Sequence, residues 1–285
     1  MKIIVTGGAG FIGSNLVDRL VAEHDVLVLD NLSTGKRRYV NRGAMFKRVD
    51  LSDWKSTVMY FQTFKPDYVF HLAALPRVQR SVEYPLLTHN SNVNSTVNVL
   101  EMSRLTKVKR VIFASSSSIY GDFRPPHRED MPPKPLSPYA LHKLIGEQYC
   151  KIYSETFKLD TVSLRFFNVY GDRQPEDSLV MGIFEKQSEC GGVCTIYGTG
   201  EQTRDFTHVD DIVEGLVRSM EYSGKFNGEV INLGTGRETS INDLAKKVGC
   251  KYINYVKPRR YDGGHKAAHL EKAHRILNWY PSRYL

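Results

Sequence analysis

The sequence predicts an α/β protein built on a doubly wound parallel sheet, with a smaller α/β substrate-binding lobe attached. Three observations carry this. β-Branched runs alternate with stretches of helical period over the first 167 residues, the first run breaks into a glycine string that opens a helix, and beyond Phe167 the elements shorten between loops rich in Gly, Pro, Asp and Arg. Parallel strands need crossover connections, and repeated strand and helix alternation supplies them on both faces of one sheet. At 285 residues, 41% hydrophobic and 25% charged, the chain can bury one large core or two modest ones, which excludes a disordered or fibrous protein.

Taken in order, Lys2 to Thr6, Asp25 to Leu29, Met45 to Val49, Asp67 to Leu72, Arg110 to Ala114 and Thr161 to Phe166 read as strands, because each is a short β-branched or aromatic run. Phe11 to Ala22, Asp53 to Phe64, Val93 to Leu105 and Tyr139 to Phe157 carry apolar residues at three-to-four spacing and read as helices. The Pro-rich stretch Pro125 to Pro138 is expected as a loop leading into the Tyr139 helix. A helix over Val209 to Tyr222 and a strand over Val230 to Leu233 are expected to return to the main sheet. The division is therefore 1–167 with 207–235 for the large domain, and 168–206 with 236–285 for the lobe. No repeat of 20 to 50 residues is visible beyond the alternation itself.

The longest apolar stretches, such as Val26 to Leu29 and Tyr68 to Ala74, fall far short of the roughly 20 residues that cross a bilayer. No membrane partner is expected, and the N-terminal MKIIVTGGAG reads as a first strand, not as a signal peptide. Cytoplasmic residence follows as the default. Four cysteines, Cys150, Cys190, Cys194 and Cys250, are too few for a disulfide scaffold, and Cys190/Cys194 lacks a second pair at zinc-like spacing. They are expected as buried apolar thiols. The formal charge of +8 suits anionic partners, but Lys36-Arg37-Arg38, Lys107 to Arg110 and Lys257 to Arg260 are short and far apart. The first two read as solvated surface, and nucleic acid is not expected.

The run Lys2 to Thr6 passes directly into Gly7-Gly8-Ala9-Gly10-Phe11-Ile12-Gly13. Gly7 permits a tight turn, Gly10 lets backbone approach a pyrophosphate, Gly13 allows helix to pack on sheet, and the helix N-terminus attracts the anion. Asp30 closes the second strand about 20 residues on, where a carboxylate can accept both ribose hydroxyls of an adenosine. It would repel a 2′-phosphate, so NAD is expected over NADP.

Tyr139-Ala140-Leu141-His142-Lys143 puts a phenol and an ammonium at i and i+4 on one helical face. Ser115-Ser116-Ser117-Ser118 follows the fifth strand, at the carboxyl edge where such sheets bind ligands. A hydroxyl, a phenol and a lysine beside a nicotinamide are the parts that alcohol oxidation needs. The phenol must ionise, and its ordinary pKa near 10 is too high, so Lys143 and a cationic ring are expected to favour phenolate. His142 reads as a solvent or interface residue. His71 and His208 read as partners of core polar groups, so no metal is expected.

TGGAGFIG at Thr6 to Gly13, DNLSTG at Asp30 to Gly35, Asp50-Leu51, HLAA at His71 to Ala74, SSSSIYG at Ser115 to Gly121, YALHK at Tyr139 to Lys143, RFFNVYG at Arg165 to Gly171 and IYGTGEQTRDFTHVDD at Ile196 to Asp211 occur in this order. With them the chain resembles the extended short-chain dehydrogenase/reductase superfamily and, within it, the NAD-dependent sugar epimerase/dehydratase family. The resemblance spans nearly the whole chain and implies a Rossmann fold. It implies cofactor contacts from Gly7, Gly10, Phe11, Ile12 and Gly13, from Asn31, Ser33 and Gly35 beside Asp30, and from Asp50 and Leu51 around the adenine. Leu72, Ala73, Ala74 and Phe166 would complete the set, with Tyr139 and Lys143 on the nicotinamide ribose. Ser116, Ser117, Asn168, Tyr197 and Arg204 would hold a nucleotide sugar, and either Arg259 or Arg260 would take its phosphate; spacing from Asp262 favours the first and the preceding Pro258 the second. A guanidinium fork suits phosphate oxygens bidentately. Helices like Val93 to Leu105 and Tyr139 to Phe157 form dimer interfaces in relatives, so a homodimer is expected. Relatives also continue past a motif like Trp279-Tyr280-Pro281 into a final helix, and they commonly carry Asn and Gly where Ser91 and Ser95 stand here.

The serine run sorts the reactions of the family. Its 4,6-dehydratases carry an Asp-Glu pair where Ser117-Ser118 stand, its decarboxylases keep the Glu, and its 3,5-epimerases carry a Cys at the Ser118 position. With Ser116, Tyr139 and NAD alone, the feasible cycle is oxidation at C4, rotation of the 4-keto sugar and reduction on its other face. The expectation is an enzyme that resembles UDP-glucose/galactose 4-epimerases. Epimerases of UDP-N-acetylhexosamines or of other nucleotides, a sugar-nucleotide reductase, and a non-catalytic NAD-sensing or RNA-binding scaffold remain as alternatives.

Overall fold

The computed structural model describes residues 1–177, 179–258 and 264–285. From the N-terminus come β1 (Lys2–Thr6), α1 (Phe11–Leu20), β2 (Asp25–Asp30), β3 (Met45–Arg48), α2 (Trp54–Phe64) and β4 (Tyr68–His71). Short helices α3 (Val78–Glu83) and α4 (Pro85–His89) then lead through one π-helical turn, Asn90–Asn94, into α5 (Ser95–Leu105). The helix expected to begin at Val93 thus continues out of that turn. β5 (Arg110–Ser116), a 3₁₀ turn over Ser117–Tyr120, α6 (Pro138–Phe157) and β6 (Thr161–Phe166) follow.

The local causes are readable. Asp53 caps α2 by accepting the amides of Lys55 and Ser56, both at 3.2 Å. Ser137 caps α6 by accepting the Ala140 amide at 3.2 Å, and Pro138 occupies a first-turn position whose missing N–H costs nothing there.

The second half holds β7 (Asn168–Tyr170), α7 (Val180–Glu189), β8 (Val193–Tyr197), β9 (Thr203–Arg204), β10 (Phe206–His208), α8 (Val209–Glu221), β11 (Glu229–Leu233), β12 (Thr239–Ser240), α9 (Ile241–Val248), β13 (Tyr252–Val256) and α10 (Glu271–Leu277). Seven strands form one parallel sheet in the order β11-β6-β5-β4-β1-β2-β3. The winding reverses between β1 and β4, which opens a crevice beyond their carboxyl ends.

Alternation along β1 sends Ile3 and Val5 to one face and Ile4 to the other. On the first face they meet Leu16, Leu20, Ile212 and Leu216 of α1 and α8; on the second, Ile4 packs with Phe61, Leu100, Phe113 and Cys150. Both faces are covered, which is why the strands are nearly continuous apolar runs. The smaller half has its own core around Met181, Phe184, Cys194, Ile196 and Leu244, beside the strand pairs β10–β7, β12–β9 and β13–β8.

Four expectations change. Cys194 and Cys250 form a disulfide joining β8 to the approach of β13, while Cys150 is a buried thiol and Cys190 an exposed one. Their spacing of 56 residues gave no sign that pairing β8 with β13 would bring them together. Residues 271–279, expected in the smaller lobe, pack on the main core instead: Ala273, Leu277 and Trp279 are buried there, and the Trp279 indole donates to the Asp211 carbonyl at 2.8 Å. Arg110, read as solvated, is 6% exposed; it pairs with Asp160 at 2.6 Å and donates to the Ser219, Tyr222 and Gly224 carbonyls, tying β5 to the end of α8. His142 is buried, edge-on to the His89 ring at 5.4 Å, with Nδ1 lacking a hydrogen-bond partner; burial pushes its pKa down to about 4. Among the described residues, no helix is long and apolar enough to cross a membrane.

Candidate active site

A cleft of about 1420 Å³ runs along the carboxyl edge of the sheet, across the winding reversal and into the smaller half. Gly7, Gly10, Phe11, Ile12 and Gly13 after β1, Asp30, Asn31 and Ser33 after β2, Asp50 and Leu51 after β3, and Leu72, Ala73 and Ala74 after β4 line its first wall. Ser116, Ser117, Tyr139, Lys143, Phe166, Asn168, Tyr197 and Arg204 line the rest. Gly35 stands behind the wall: a Cβ there would come within 2.8 Å of the Ala9 backbone, so it lets the β2 loop close on the glycine turn. Arg259 and Arg260 lie outside the described residues. Ser91 and Ser95 also line the cleft, with the Ser95 hydroxyl donated to the Ser91 carbonyl at 2.5 Å.

The first wall fits a dinucleotide. Gly7 has φ of +71°, and a Cβ on it would meet the Ala73 amide nitrogen at 2.7 Å, so β1 and β4 approach too closely there for any side chain. A Cβ on Gly10 would meet only the Gly7 carbonyl, at 3.2 Å, and would otherwise occupy the cleft. Gly10 is the N-cap of α1 and makes no side-chain cap bond, so the helix presents its first amides to an anion. The Asp30 carboxylate is buried and accepts the Ala9 amide at 3.0 Å and the Leu32 amide at 2.7 Å. Burial raises its pKa, while those two amides pull it down.

At the far end of this wall, His71 is wholly buried between the Thr6 and Thr96 hydroxyls, at 2.8 and 2.9 Å. Burial first, then the Lys143 charge, lowers its pKa to about 3, so the ring is a neutral link under the Ala73 turn. Among the described residues, no group of three His, Cys, Asp or Glu side chains could hold a metal ion.

Tyr139 and Lys143 project from the first turns of α6 toward the end of β5. Both are buried, and the Lys143 ammonium donates to the Ala114 carbonyl at 2.7 Å, 5.9 Å from the Tyr139 ring centre. Burial holds this lysine down at about 8, partly opposed by the Glu147 carboxylate. The Tyr139 phenol is pushed up to about 12 by burial, with Ser116 pulling the other way. In the chain alone, with the Lys143 ammonium 5.9 Å from the ring and turned to a carbonyl, desolvation dominates the phenol.

Asn168 begins β7, its amide bonded to the Asp205 carbonyl at 2.9 Å. Nη1 of Arg204, at the end of β9, donates to the Thr203 and Gly264 carbonyls at 2.7 and 2.9 Å, and the residue lines the cleft. Tyr197 ends β8 and is 39% exposed.

Several residues escaped the sequence reading. Glu147 pairs bidentately with Arg165 at 2.8 and 2.7 Å and accepts the Ser115 hydroxyl at 2.5 Å, all buried beneath the site. Its position four after Lys143 was a usable signal. Ser81 accepts the Tyr139 amide at 3.0 Å. Lys266, 6% exposed, reaches the cleft and donates to the Gly121 carbonyl; the irregular segment around it offered no pattern to read.

The profile of the NAD dependent epimerase/dehydratase family matches residues 3–234. A UDP-glucose 4-epimerase of Mycolicibacterium smegmatis is 38% identical over 99% of this chain and 94% of its own. The crystal structure of a Thermotoga maritima UDP-glucose 4-epimerase with UDP-glucose superimposes with a TM-score of 0.96 at 37% identity, covering 100% of this chain and 94% of that one. A Bacillus cereus UDP-glucuronic acid 4-epimerase, solved with UDP-glucuronic acid and NAD, gives 0.92 at 34% identity, covering 100% and 95%. A glycine cradle, a buried strand-end carboxylate and a serine, tyrosine and lysine at one cleft thus coincide with matches over almost the whole chain, and the protein belongs to the NAD-dependent epimerase/dehydratase family of enzymes.

Proposed function

We propose that this enzyme inverts C4 of a UDP-hexose of the UDP-glucose/UDP-galactose type through a transient 4-keto sugar. The observation that carries this is the buried Tyr139 phenol beside Ser116, above Lys143, in a wall where Ser117 and Ser118 bring no carboxylate. Elimination of water across C5 and C6 needs an acid and a base beside the C4 ketone, and serines supply neither. Residues 1–167 and 207–235 hold the dinucleotide in this reading; 168–206 and the start of 236–285 hold the sugar nucleotide.

The wall from Gly7 to Gly13 with Asp30 would hold NAD, which would supply the hydride acceptor and donor for C4 and a positive charge that favours the phenolate. Tyr139 takes the C4 hydroxyl proton and later gives it back. A phenol at about 12 lies about 5 units above neutral pH, about 7 kcal/mol. That gap is too wide for a base acting unaided, so ionisation awaits an assembled site in which opposite charge and donated hydrogen bonds favour the anion. Ser116 donates a hydrogen bond to the C4 oxygen, and Lys143 fixes the ribose and the phenolate. Asn168, Arg204 and one of Arg259 and Arg260 hold the diphosphate, with Tyr197 beside the base. Exposed Leu86, Leu87, Leu141 and Ile152 on α4 and α6 support a homodimer through this helical face.

The test is NMR of the anomeric protons of UDP-galactose and UDP-N-acetylgalactosamine incubated in parallel with purified protein and no added cofactor. Conversion of UDP-galactose to UDP-glucose supports the proposal, conversion of the acetamido sugar alone moves the substrate to that class, and no change in either sugar refutes it.

A further inference from the structure

We propose that Ser118 is a positioning residue that fixes the direction of the Ser116 proton, so that Ser116 acts toward the reacting oxygens only as a donor. This rests on the reading that Ser116 faces the C4 oxygen and Tyr139 and donates to whichever carries the negative charge. Ser116 ends β5 and caps the 3₁₀ turn that follows, and its Oγ accepts two bonds from one residue: the Ser118 amide at 3.2 Å and the Ser118 hydroxyl at 2.9 Å. A serine hydroxyl has one proton and two acceptor lone pairs. With both lone pairs engaged, what Ser116 has left to offer is its own O–H.

The neighbour that feels this hydroxyl is Tyr139, whose ionisation Ser116 favours. A neutral phenol cannot donate its proton to Ser116, because Ser118 occupies both lone pairs, though it can still accept from the Ser116 hydroxyl. A phenolate or a developing C4 oxyanion needs a donor, which is what remains. The chain Ser118 to Ser116 to Tyr139 is therefore polarised one way, and each donor strengthens the next. Ser117, between them, is buried and does not share the bond.

Replacing Ser118 by Ala removes the hydroxyl bond and keeps the amide cap, so the turn retains its backbone anchor. The experiment titrates the Tyr139 phenolate by its ultraviolet difference spectrum in NAD-loaded protein, assigned by subtracting the Tyr139→Phe spectrum, for wild type, Ser118→Ala and Ser118→Thr. Freeing one lone pair should raise the titration midpoint by about half to one pH unit. Ser118→Thr, which restores the hydroxyl, should return it toward wild type. In turnover, Ser118→Ala should lower kcat about tenfold with KM within about twofold and move the acidic limb of kcat in step with the spectral midpoint. An unmoved midpoint, or a fall in kcat with no shift in either titration, overturns the proposal. If Ser118→Ala does not fold, the Ser118→Thr and Ser118→Cys pair decides it: the thiol is a weak donor, and equal midpoints overturn the proposal. A shifted midpoint in a protein that epimerises no UDP-hexose would sustain the positioning role while removing the proposed reaction.

Discussion

Glu147 is the most exacting place to test how the site is supported. Its side chain is 2% exposed and Arg165's is 5%, and the pair carries two bonds at 2.8 and 2.7 Å with a third from Ser115. Glu147→Gln keeps the volume and removes the charge. The Arg165 guanidinium is then buried without a counter-ion and faces an amide that cannot accept on both sides. Breaking one partner of such a pair destabilises by about 3 to 5 kcal/mol, whereas replacing both by apolar groups is often close to neutral. For a chain of this size that is a fall in Tm of about 5 to 8 °C. The assay is urea and thermal unfolding of wild type, Glu147→Gln, Arg165→Met and the double variant, read as a double-mutant cycle. The double variant should recover about 2 kcal/mol or more of the single variant's loss. A loss below about 1 kcal/mol for Glu147→Gln, or a double variant as unstable as the sum of its parts, would refute the reasoning. Because Glu147 also opposes the downward shift of Lys143, the single variant should move that lysine further below about 8.

Tyr139→Phe should lower kcat about 10²- to 10⁴-fold while the far-ultraviolet spectrum stays unchanged, since its backbone bond to Ser81 survives the change; retained turnover in the coupled assay would remove Tyr139 from the chemistry. Lys143 gives a pH dependence. Its folded pKa of about 8 lies below the ordinary 10.5, so between these values the unfolded chain holds a proton that the folded one has released, and cofactor-free stability rises with pH across that window. The rise is about 2.5 units, or about 3 kcal/mol, and should be missing from Lys143→Met in urea melts taken from pH 7.5 to 10. The Cys194–Cys250 bridge closes a separation of 56 residues, for which chain entropy gives about 4 kcal/mol. Melts with and without dithiothreitol should differ, and the difference should vanish in Cys194→Ala/Cys250→Ala.

The glycine turn, Asp30, the serine run and the Tyr139/Lys143 pair were legible because each is local: a turn, a strand end, a loop after a strand, one helical face. The parallel sheet covered on both faces followed from alternation together with the handedness of crossovers, while its strand order came from the structure. Arg110, His142 and the Cys194–Cys250 pair were misread for the opposite reason. Their surroundings come from residues distant in sequence: Asp160 and the end of α8, His89 of α4, and the β8–β13 pairing.

By itself, the sequence determined the parallel sheet, the glycine turn and the candidate serine, tyrosine and lysine set, since periodicity, glycine sterics and side-chain chemistry act over a few residues. Only the tertiary structure decided how far burial displaces the ionisation of those groups. Burial pushes the Tyr139 phenol up and the Lys143 ammonium down, and the Glu147–Arg165 pair lies buried beneath them. Desolvation and hydrogen-bond direction depend on everything packed around an atom, and no stretch of sequence contains that.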